Sequence, residues 1–202
     1  MAKRVPNAAD RRINRWRIAA WGIAALLLLL PLVAMHFTRE VDWTGADFLF
    51  AGVMIGGVGM LFELAVRKTR DLVYRVGAGL ALAAAFLLIW VNAAVGIIGN
   101  EDNPLNLLYF GVVAVAIVGA IGARFRPRGM GQAMIAAAAA QTAAGLVAVI
   151  AGGDQPPGPI GLALINGFFV ALFGGSAWLF GRAARAATGG AMRSIDTGLT
   201  SG

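Results

Sequence analysis

The chain contains no cysteine. This absence excludes disulfide bonds, thiolate metal sites, thioether attachment of haem and cysteine nucleophiles. Charge is also scarce, since charged residues make up 13% of the 202 residues while hydrophobic residues make up 59%. Soluble domains carry roughly 25% charged residues. The composition therefore favours a protein of the lipid bilayer.

Histidine and the common catalytic motifs are almost absent as well. His36 is the only histidine, which argues against a spanning haem with paired axial ligands. The sequence has no nucleotide-binding glycine loop, no HExxH and no GxSxG. We therefore expect no cofactor, no metal and no enzymatic activity, and a membrane enzyme ranks third among the functions considered.

What the sequence does contain is six long apolar runs. About 20 helical residues cross a bilayer core of roughly 30 Å, so the expected fold is an all-α bundle of six transmembrane helices. Residues 1–17 would form a basic N-terminal tail and residues 181–202 a flexible C-terminal tail. The first run resembles a secretory signal, but no small-x-small cleavage site follows it, which favours an uncleaved span. The predicted spans cover about residues 18–37, 48–66, 72–99, 105–123, 130–152 and 160–180.

Basic residues collect on one side of this six-span arrangement. Of the 17 lysines and arginines, only Arg39 falls on the side that carries most of the acids. Because lysine and arginine mark the cytoplasmic side, both termini are predicted to lie in the cytoplasm. The basic ends would attract anionic lipid headgroups, and this explains the excess of positive charge without nucleic acid.

The stretch Asn100-Glu101-Asp102-Asn103-Pro104 interrupts the apolar sequence between the third and fourth spans. Asn103 is a good helix cap, and Pro104 suits the first helical position. The segment GDQPPGP repeats this pattern before the sixth span, 52 positions further along, which suggests that the two hairpins are related. The stretch is therefore predicted to be a tight turn outside the membrane.

Glycines are expected to let the helices approach closely, because spanning helices associate through small residues rather than through hydrophobic expulsion. A second interpretation is that the helix unwinds at Gly56-Gly57 and lines a site, as in broken transporter helices. The alanine-rich fifth span is predicted to be a central helix with neighbours on every side. The glycines assigned to packing are Gly52, Gly56, Gly57, Gly59, Gly174 and Gly175.

Two groups of polar residues lie within the spans. Asn92, Gln141 and Asn166 are predicted to form an intramembrane polar cluster, either as interhelical glue or as the lining of a small cavity. Glu63 and Arg67 are four residues apart, at helical pairing distance, and a pair at the interface is favoured over a buried proton carrier. Arg75 would reach lipid phosphates or Glu63.

The segment WVNAAVGIIGNEDNPLNLLYFGVVAVAIVGAIGARFRP, residues 90–127, resembles part of a family of small uncharacterised integral membrane proteins from bacteria with high-GC genomes. The shared feature is a G-x-E-x-N-P-x-N-like turn between two spans, and the resemblance covers about a fifth of the chain. It implies a bacterial inner membrane and transfers no functional residue to this sequence.

The leading functional expectation is a non-enzymatic protein of the bacterial inner membrane that acts through its helix faces. It would be an accessory or scaffolding subunit of a larger membrane assembly, or a homo-oligomer. The alternative is a small transporter or channel that uses the neutral polar residues Asn92, Gln141 and Asn166.

Overall fold

The computed structural model describes the backbone of residues 8–38 and 42–199, with side chains at 18, 19, 21–38, 42–67 and 69–189. Arg39, Glu40 and both ends of the chain lie outside these ranges. All regular structure within them is helical, so the predicted all-α class is confirmed. In chain order the helices are α1 (Ala8–Phe37), α2 (Gly45–Lys68), α3 (Leu72–Ala94), α4 (Leu107–Gly122, after a 3-10 turn at Pro104–Asn106), α5 (Pro127–Gly152) and α6 (Gly158–Leu199).

Five of these helices contain a segment long and apolar enough to cross a membrane. α1 adds a shorter apolar stretch, Trp21–Phe37, so six helices are found where six spans were predicted. Helices of this length and hydropathy indicate a multi-pass integral membrane protein. The five longer segments are Gly45–Arg67, Leu72–Ala94, Pro104–Gly122, Pro127–Gly152 and Gly158–Gly189.

Three helices extend differently from the predicted spans, and the first of them, α1, begins at Ala8, within the predicted N-terminal tail. The third helix ends at Ala94 rather than near residue 99, because the chain turns through two glycines with positive φ, Gly96 at 71° and Gly99 at 69°. The sixth helix does not end near residue 180 but continues to Leu199. Alanine and arginine, which are frequent after residue 180, favour helix in water as well as in lipid, so the predicted flexible tail is helical as far as Leu199.

Side-chain caps fix three of the helix starts. Thr44 and Asp47 form a capping box before α2, in which Asp47 Oδ2 accepts from the Thr44 main-chain N–H at 2.8 Å. Asp71 caps α3 by accepting from the Val73 N–H at 2.8 Å. Asn103 Oδ1 accepts from the Leu105 N–H at 3.0 Å, so the predicted cap at Asn103 with Pro104 in first position is confirmed.

The chain divides into two compact units, residues 1–61 and 62–202, with the boundary inside α2. In the first unit, α1 and α2 meet where side chains fill glycine gaps. A Cβ added at Gly59 would lie 3.1 Å from Trp21 Cη2, and one added at Gly52 would lie 3.8 Å from Leu28 Cδ2. Ala51 is the one buried residue among the described side chains of this unit.

In the second unit, α3, α4, α5 and α6 form a bundle. α5 and α6 share the largest interface, α4 packs on α5, and α3 packs on α6. Large side chains fill the centre, and the Tyr74 and Phe180 rings meet edge to face with centroids 5.0 Å apart. The largest fully buried apolar side chains include Leu88, Ile98, Leu162, Phe173 and Phe180.

Within the second unit, the fifth span does not have the predicted neighbours on every side. Only one face of α5 is buried, along Ala137, Gln141, Ala144 and Ala148, whereas Ile135 and Ile150 are exposed. The buried positions recur every three or four residues, which is the period of a single helix face. Within this unit α5 is therefore packed on one face.

The glycines predicted to pack fall into two groups. Gly59 and Gly175 are covered, since a Cβ at Gly175 would lie 3.2 Å from Leu80 Cδ2, and Gly52 has a looser contact. Gly56, Gly57 and Gly174 meet nothing within 4 Å, so their predicted packing is wrong for contacts within their own units. α2 runs without interruption through Gly56-Gly57, which contradicts the alternative of an unwound helix.

Candidate functional site

The structure brings together two of the three amides predicted to cluster. Gln141 Nε2 on α5 donates to Asn166 Oδ1 on α6 at 2.8 Å. Asn166 Nδ2 donates to the Tyr109 hydroxyl on α4 at 3.2 Å and to the Leu162 carbonyl at 2.8 Å. Gln141 is 0% exposed, Tyr109 1% and Asn166 4%. One buried carboxamide therefore joins three helices.

The orientation of these amides is set by a main-chain group. The Leu162 carbonyl can only accept, so the atom of Asn166 beside it must be the amide nitrogen. Asn166 Oδ1 therefore faces Gln141, and the Gln141 atom that donates to it must be the amide nitrogen, Nε2. Gln141 Oε1 is consequently left without a donor among the described residues.

A glycine one turn along α5 makes room for this contact. A Cβ added at Gly145 would lie 2.8 Å from Asn166 Cβ, closer than real side-chain contacts. Gln141 and Gly145 are four residues apart and therefore lie on one face of the helix. The spacing Gln-x-x-x-Gly is the sequence signal that could have identified this contact, whereas Tyr109 was not predicted to take part.

Asn92, the third predicted member, belongs to a different network. Its Nδ2 donates to the Asn106 carbonyl at 3.0 Å, and both residues are buried. Because a carbonyl can only accept, Asn92 Oδ1 must point away from it, and this oxygen has no partner among the described residues. The predicted cluster of three is therefore wrong for Asn92.

Asn106, the last residue of the G-x-E-x-N-P-x-N turn, organises the connection between α3 and α4, a role that was not predicted. Its Oδ1 accepts from the main-chain N–H groups of Ile97 at 3.2 Å and Ile98 at 3.0 Å. Its Nδ2 donates to the carbonyls of Ile98 at 3.3 Å and Asn100 at 2.6 Å. One side chain thus satisfies four main-chain groups of a partly buried turn.

The turn after α3 is also bonded to the turn after α5. Asn103 Nδ2 donates to Gln155 Oε1 at 2.8 Å, and the Gly99 N–H donates to the Pro156 carbonyl at 2.8 Å. The two segments that the sequence related by a 52-residue offset therefore lie side by side at one end of the bundle. These bonds make that end a hydrogen-bonded pair of turns rather than two independent loops.

A serine supplies the polar contact between α3 and α6. Ser176 Oγ is buried and donates to the Gly77 carbonyl at 2.8 Å. The neighbouring helices approach closely here, since a Cβ at Gly77 would lie 3.2 Å from Leu179 Cβ. Ser176 was not predicted to join helices, and its position inside a helical span was the available signal.

The charged residues at the other end of the bundle pair locally. Arg67 Nη2 lies 2.6 Å from Glu63 Oε1, with side chains 63% and 20% exposed, so the predicted partners do form an ion pair. Arg75 donates to the carbonyls of Thr69 at 2.9 Å and Val66 at 2.9 Å. The observed role of Arg75 is therefore to satisfy main-chain oxygens at the end of α2, a role that was not predicted.

Arginines from the α4–α5 turn and from α6 share this end. The Tyr74 hydroxyl donates to the Phe125 carbonyl at 2.7 Å, and Arg128 Nη2 donates to Thr188 Oγ1 at 3.3 Å. The guanidinium of Arg182 lies 4.9 Å from the centre of the Trp178 ring. We call the arginines of this end the arginine face, which comprises Arg124, Arg126, Arg128, Arg182 and Arg185.

No group of three or more metal-ligating side chains occurs in the part of the chain that the structure describes. His36 Nδ1 lies 3.2 Å from the Leu32 carbonyl in its own helix. No protein-family model, no curated protein and no solved structure matches the chain.

Proposed function

We propose that the chain is a non-enzymatic subunit of a membrane assembly in the bacterial inner membrane, with both termini in the cytoplasm. The distribution of arginine supports this orientation, because 16 of the 17 basic residues fall on one side of the alternating spans. The groups that meet inside the bundle are amides and hydroxyls rather than the positioned acid and base that general acid–base catalysis needs. These contacts suit a structural role.

The observation that carries the proposal is the glycine face of α2. Gly56 and Gly57 lie in a continuous helix, and a Cβ at either would meet nothing within 4 Å. Glycine weakens a helix by about 1 kcal/mol relative to alanine. Gly56 and Gly57 therefore destabilise α2, and no close helix contact within their own unit offsets this loss. Small residues on a helix surface let two helices of the same sequence approach closely.

The proposed occupant of the glycine face is a second copy of the chain. A pair of identical α2 helices would bring Gly56 and Gly57 of each copy together, so that the close approach is self-complementary about a twofold axis. The exposed neighbours Leu49, Val53 and Met60 supply apolar surface for the same contact. A homodimer is thus the simplest assembly in which this protein would act.

The test uses the natural absence of cysteine. Gly56→Cys places one thiol on the glycine face, and oxidation in native membranes should give a covalent dimer. Gly111→Cys is the matched control, because Gly111 on α4 also meets nothing within 4 Å. A crosslink at position 56 and none at position 111 supports the proposal.

Three other results would count against a dimer through α2. In the first, the protein is a monomer at every protein concentration. In the second, positions 56 and 111 crosslink equally. In the third, the protein has a monomeric mass and its own helices shield the thiol introduced at position 56 from reagents. The last result would assign the glycine face to an intramolecular contact. Capture of a different protein at this position would replace the homodimer by a mixed assembly.

Anionic lipid is the proposed partner of the arginine face. Each arginine near an anionic membrane surface contributes about 1 kcal/mol of attraction, and Trp178 and Phe125 are exposed beside these arginines as interfacial aromatic anchors. Removing two charges with Arg126→Gln and Arg185→Gln should weaken binding of phosphatidylglycerol by about tenfold or more. Native mass spectrometry after lipid titration in detergent measures this change.

Arg67→Gln is the control for lipid binding. It removes the same charge from a guanidinium that already has Glu63 as its partner, so it should reduce lipid binding less than either substitution on the arginine face. Equal losses for all three variants would indicate general attraction to charge and would remove the special role of the arginine face.

A second candidate function, transport of a small neutral solute, is favoured by two buried oxygens without donors among the described residues, Gln141 Oε1 and Asn92 Oδ1. Such oxygens suit a passing hydrogen-bond donor. Single cysteines at these two positions should then react with water-soluble thiol reagents in intact membranes, whereas cysteine at the fully buried Ala137 should not. Protection of all three positions would remove the transport candidate.

A further inference from the structure

Two hydrogen-bonding groups remain unmatched where α4, α5 and α6 meet. Gln141 Oε1 accepts no hydrogen bond from the described residues, although Gln141 is 0% exposed. The Tyr109 hydroxyl accepts from Asn166, and its own proton has no acceptor in the described part of the chain. A buried acceptor without a donor costs about 1 to 3 kcal/mol, so both groups call for a partner.

The two unmatched groups flank the same side chain. Gln141 is bonded to the oxygen of the Asn166 carboxamide and Tyr109 to its nitrogen, at 2.8 and 3.2 Å. The unpaired oxygen and the unpaired proton therefore belong to residues on either side of one planar group. A single molecule that both donates and accepts can serve Gln141 and Tyr109 together.

We propose that one water molecule binds between Gln141 Oε1 and the Tyr109 hydroxyl. It donates to the amide oxygen and accepts the phenol proton, which completes a ring of four groups with Asn166. Buried waters in proteins make about three hydrogen bonds to groups that would otherwise be unsatisfied. The site offers two such groups, and Gln141 shares its face of α5 with the small residues Ala137 and Ala144.

A cation does not suit this site. Hard cations take six or more oxygen ligands, several of them carboxylates, whereas the two unmatched groups supply one amide oxygen and one phenol. An uncompensated charge within the bilayer is also costly. A neutral donor of the size of water is the ligand that matches both the number and the kind of the unpaired groups.

The water site is independent of the proposed dimer, because it lies within the bundle and requires no contact through α2. It is also independent of transport, since a resident water need not pass through the protein. The experiment can therefore fail without affecting either proposed function.

Hydroxyl-radical labelling tests the proposal on the full chain in lipid nanodiscs. Radicals formed by a radiation pulse arise from bound water as well as bulk water, and use of H2(18)O marks their oxygen. The chain has two tyrosines, both buried. Tyr74 is the internal control, because its hydroxyl donates to the Phe125 carbonyl at 2.7 Å and has no need of water. We expect 18O uptake at Tyr109 to be several-fold faster than at Tyr74.

The Gln141→Leu variant removes the amide oxygen and should lower labelling of Tyr109 to the rate of Tyr74. Thr142→Val is the matched control, since it changes the next residue, which is exposed on the other side of α5, and it should leave both rates unchanged. Faster labelling of Tyr74 in a variant would reveal a loosened fold.

Equal protection of Tyr109 and Tyr74 in the unmodified protein would overturn the proposal without reference to any variant. Labelling of Tyr109 that persists in a folded Gln141→Leu protein would overturn it as well. The delay between mixing with H2(18)O and 18O uptake at Tyr109 reports how fast the bound water exchanges. Uptake with or without a delay supports bound water, and uptake without a delay would also favour transport.

Discussion

The first two helices and the bundle of α3 to α6 are both apolar but differ in their polar residues. Residues 18–37 and 45–68 contain no asparagine, glutamine, serine or threonine. In the bundle, Gln141, Asn166 and Ser176 each bond to a neighbouring helix. The comparison shows that burial in a membrane protein follows shape and hydrogen bonding, since apolar side chains gain little by leaving lipid for protein.

The turn at Asn106 offers the largest effect with which to test the comparison. Asn106→Ala leaves the N–H groups of Ile97 and Ile98 without an acceptor, and both residues are buried. Each unsatisfied group costs about 1 to 3 kcal/mol, so we expect a loss of about 3 kcal/mol, read from thermal unfolding in detergent. Asp102→Ala, at an exposed position of the same loop, should have little effect. Similar melting curves for both variants would show that Asn106 does not hold the turn.

A single added methyl group should have opposite effects in the two regions. Gly145→Ala forces a Cβ to within 2.8 Å of Asn166 Cβ, and overpacking of this kind costs about 1 to 3 kcal/mol. Gly57→Ala enters open space and should stabilise the monomer by up to about 1 kcal/mol through helix propensity. Unfolding measured at low protein concentration separates the two. A destabilising Gly57→Ala would mean that the glycine face is already covered within one chain.

The hydrogen bond between α6 and α3 should have a smaller effect. Ser176→Ala removes the donor to the Gly77 carbonyl, and interhelical hydrogen bonds in membranes contribute about 0.6 kcal/mol on average. Ser176→Thr, which keeps the hydroxyl but adds a methyl group, distinguishes the bond from the packing around it. If alanine proves as stable as serine in denaturant titrations, close packing alone joins these two helices.

The ion pair of Glu63 and Arg67 should have the smallest effect. Arg67 is 63% exposed, and exposed pairs contribute at most about 1 kcal/mol. Glu63→Gln should therefore change the unfolding free energy by less than about 0.5 kcal/mol. The same measurement repeated at high salt serves as the control, because screening should remove the remaining difference. A loss of several kcal/mol would indicate a buried charge rather than an interfacial pair.

The elements of the fold were largely predictable, while their contacts were not. Long apolar runs separated by polar turns located the helices, and Asn103-Pro104 located a helix start, because both signals act between near neighbours in sequence. The partners of Asn92 could not be read in the same way. The depth of Asn92 in its span resembles that of Asn166, but the early end of α3 at Gly96 places it beside the turn that Asn106 organises.

Glycine shows the same division between local and tertiary information. The sequence locates Gly56, Gly57, Gly59 and Gly175, and it predicts the same use for all four. The structure covers Gly59 with Trp21 and Gly175 with Leu80, and leaves the other two open. Which glycine receives a neighbour depends on the rotation of each helix about its axis, and that rotation is set by distant side chains.

The sequence by itself determined that this protein is a series of membrane-length helices with short polar turns, because hydropathy, helix length and capping are properties of the segment alone. Only the tertiary structure decided that Asn166 lies between Gln141 and Tyr109 and that Asn106 bonds to the turn before it. Hydrogen bonds depend on distance and direction, and segments far apart in sequence acquire both only when the helices pack.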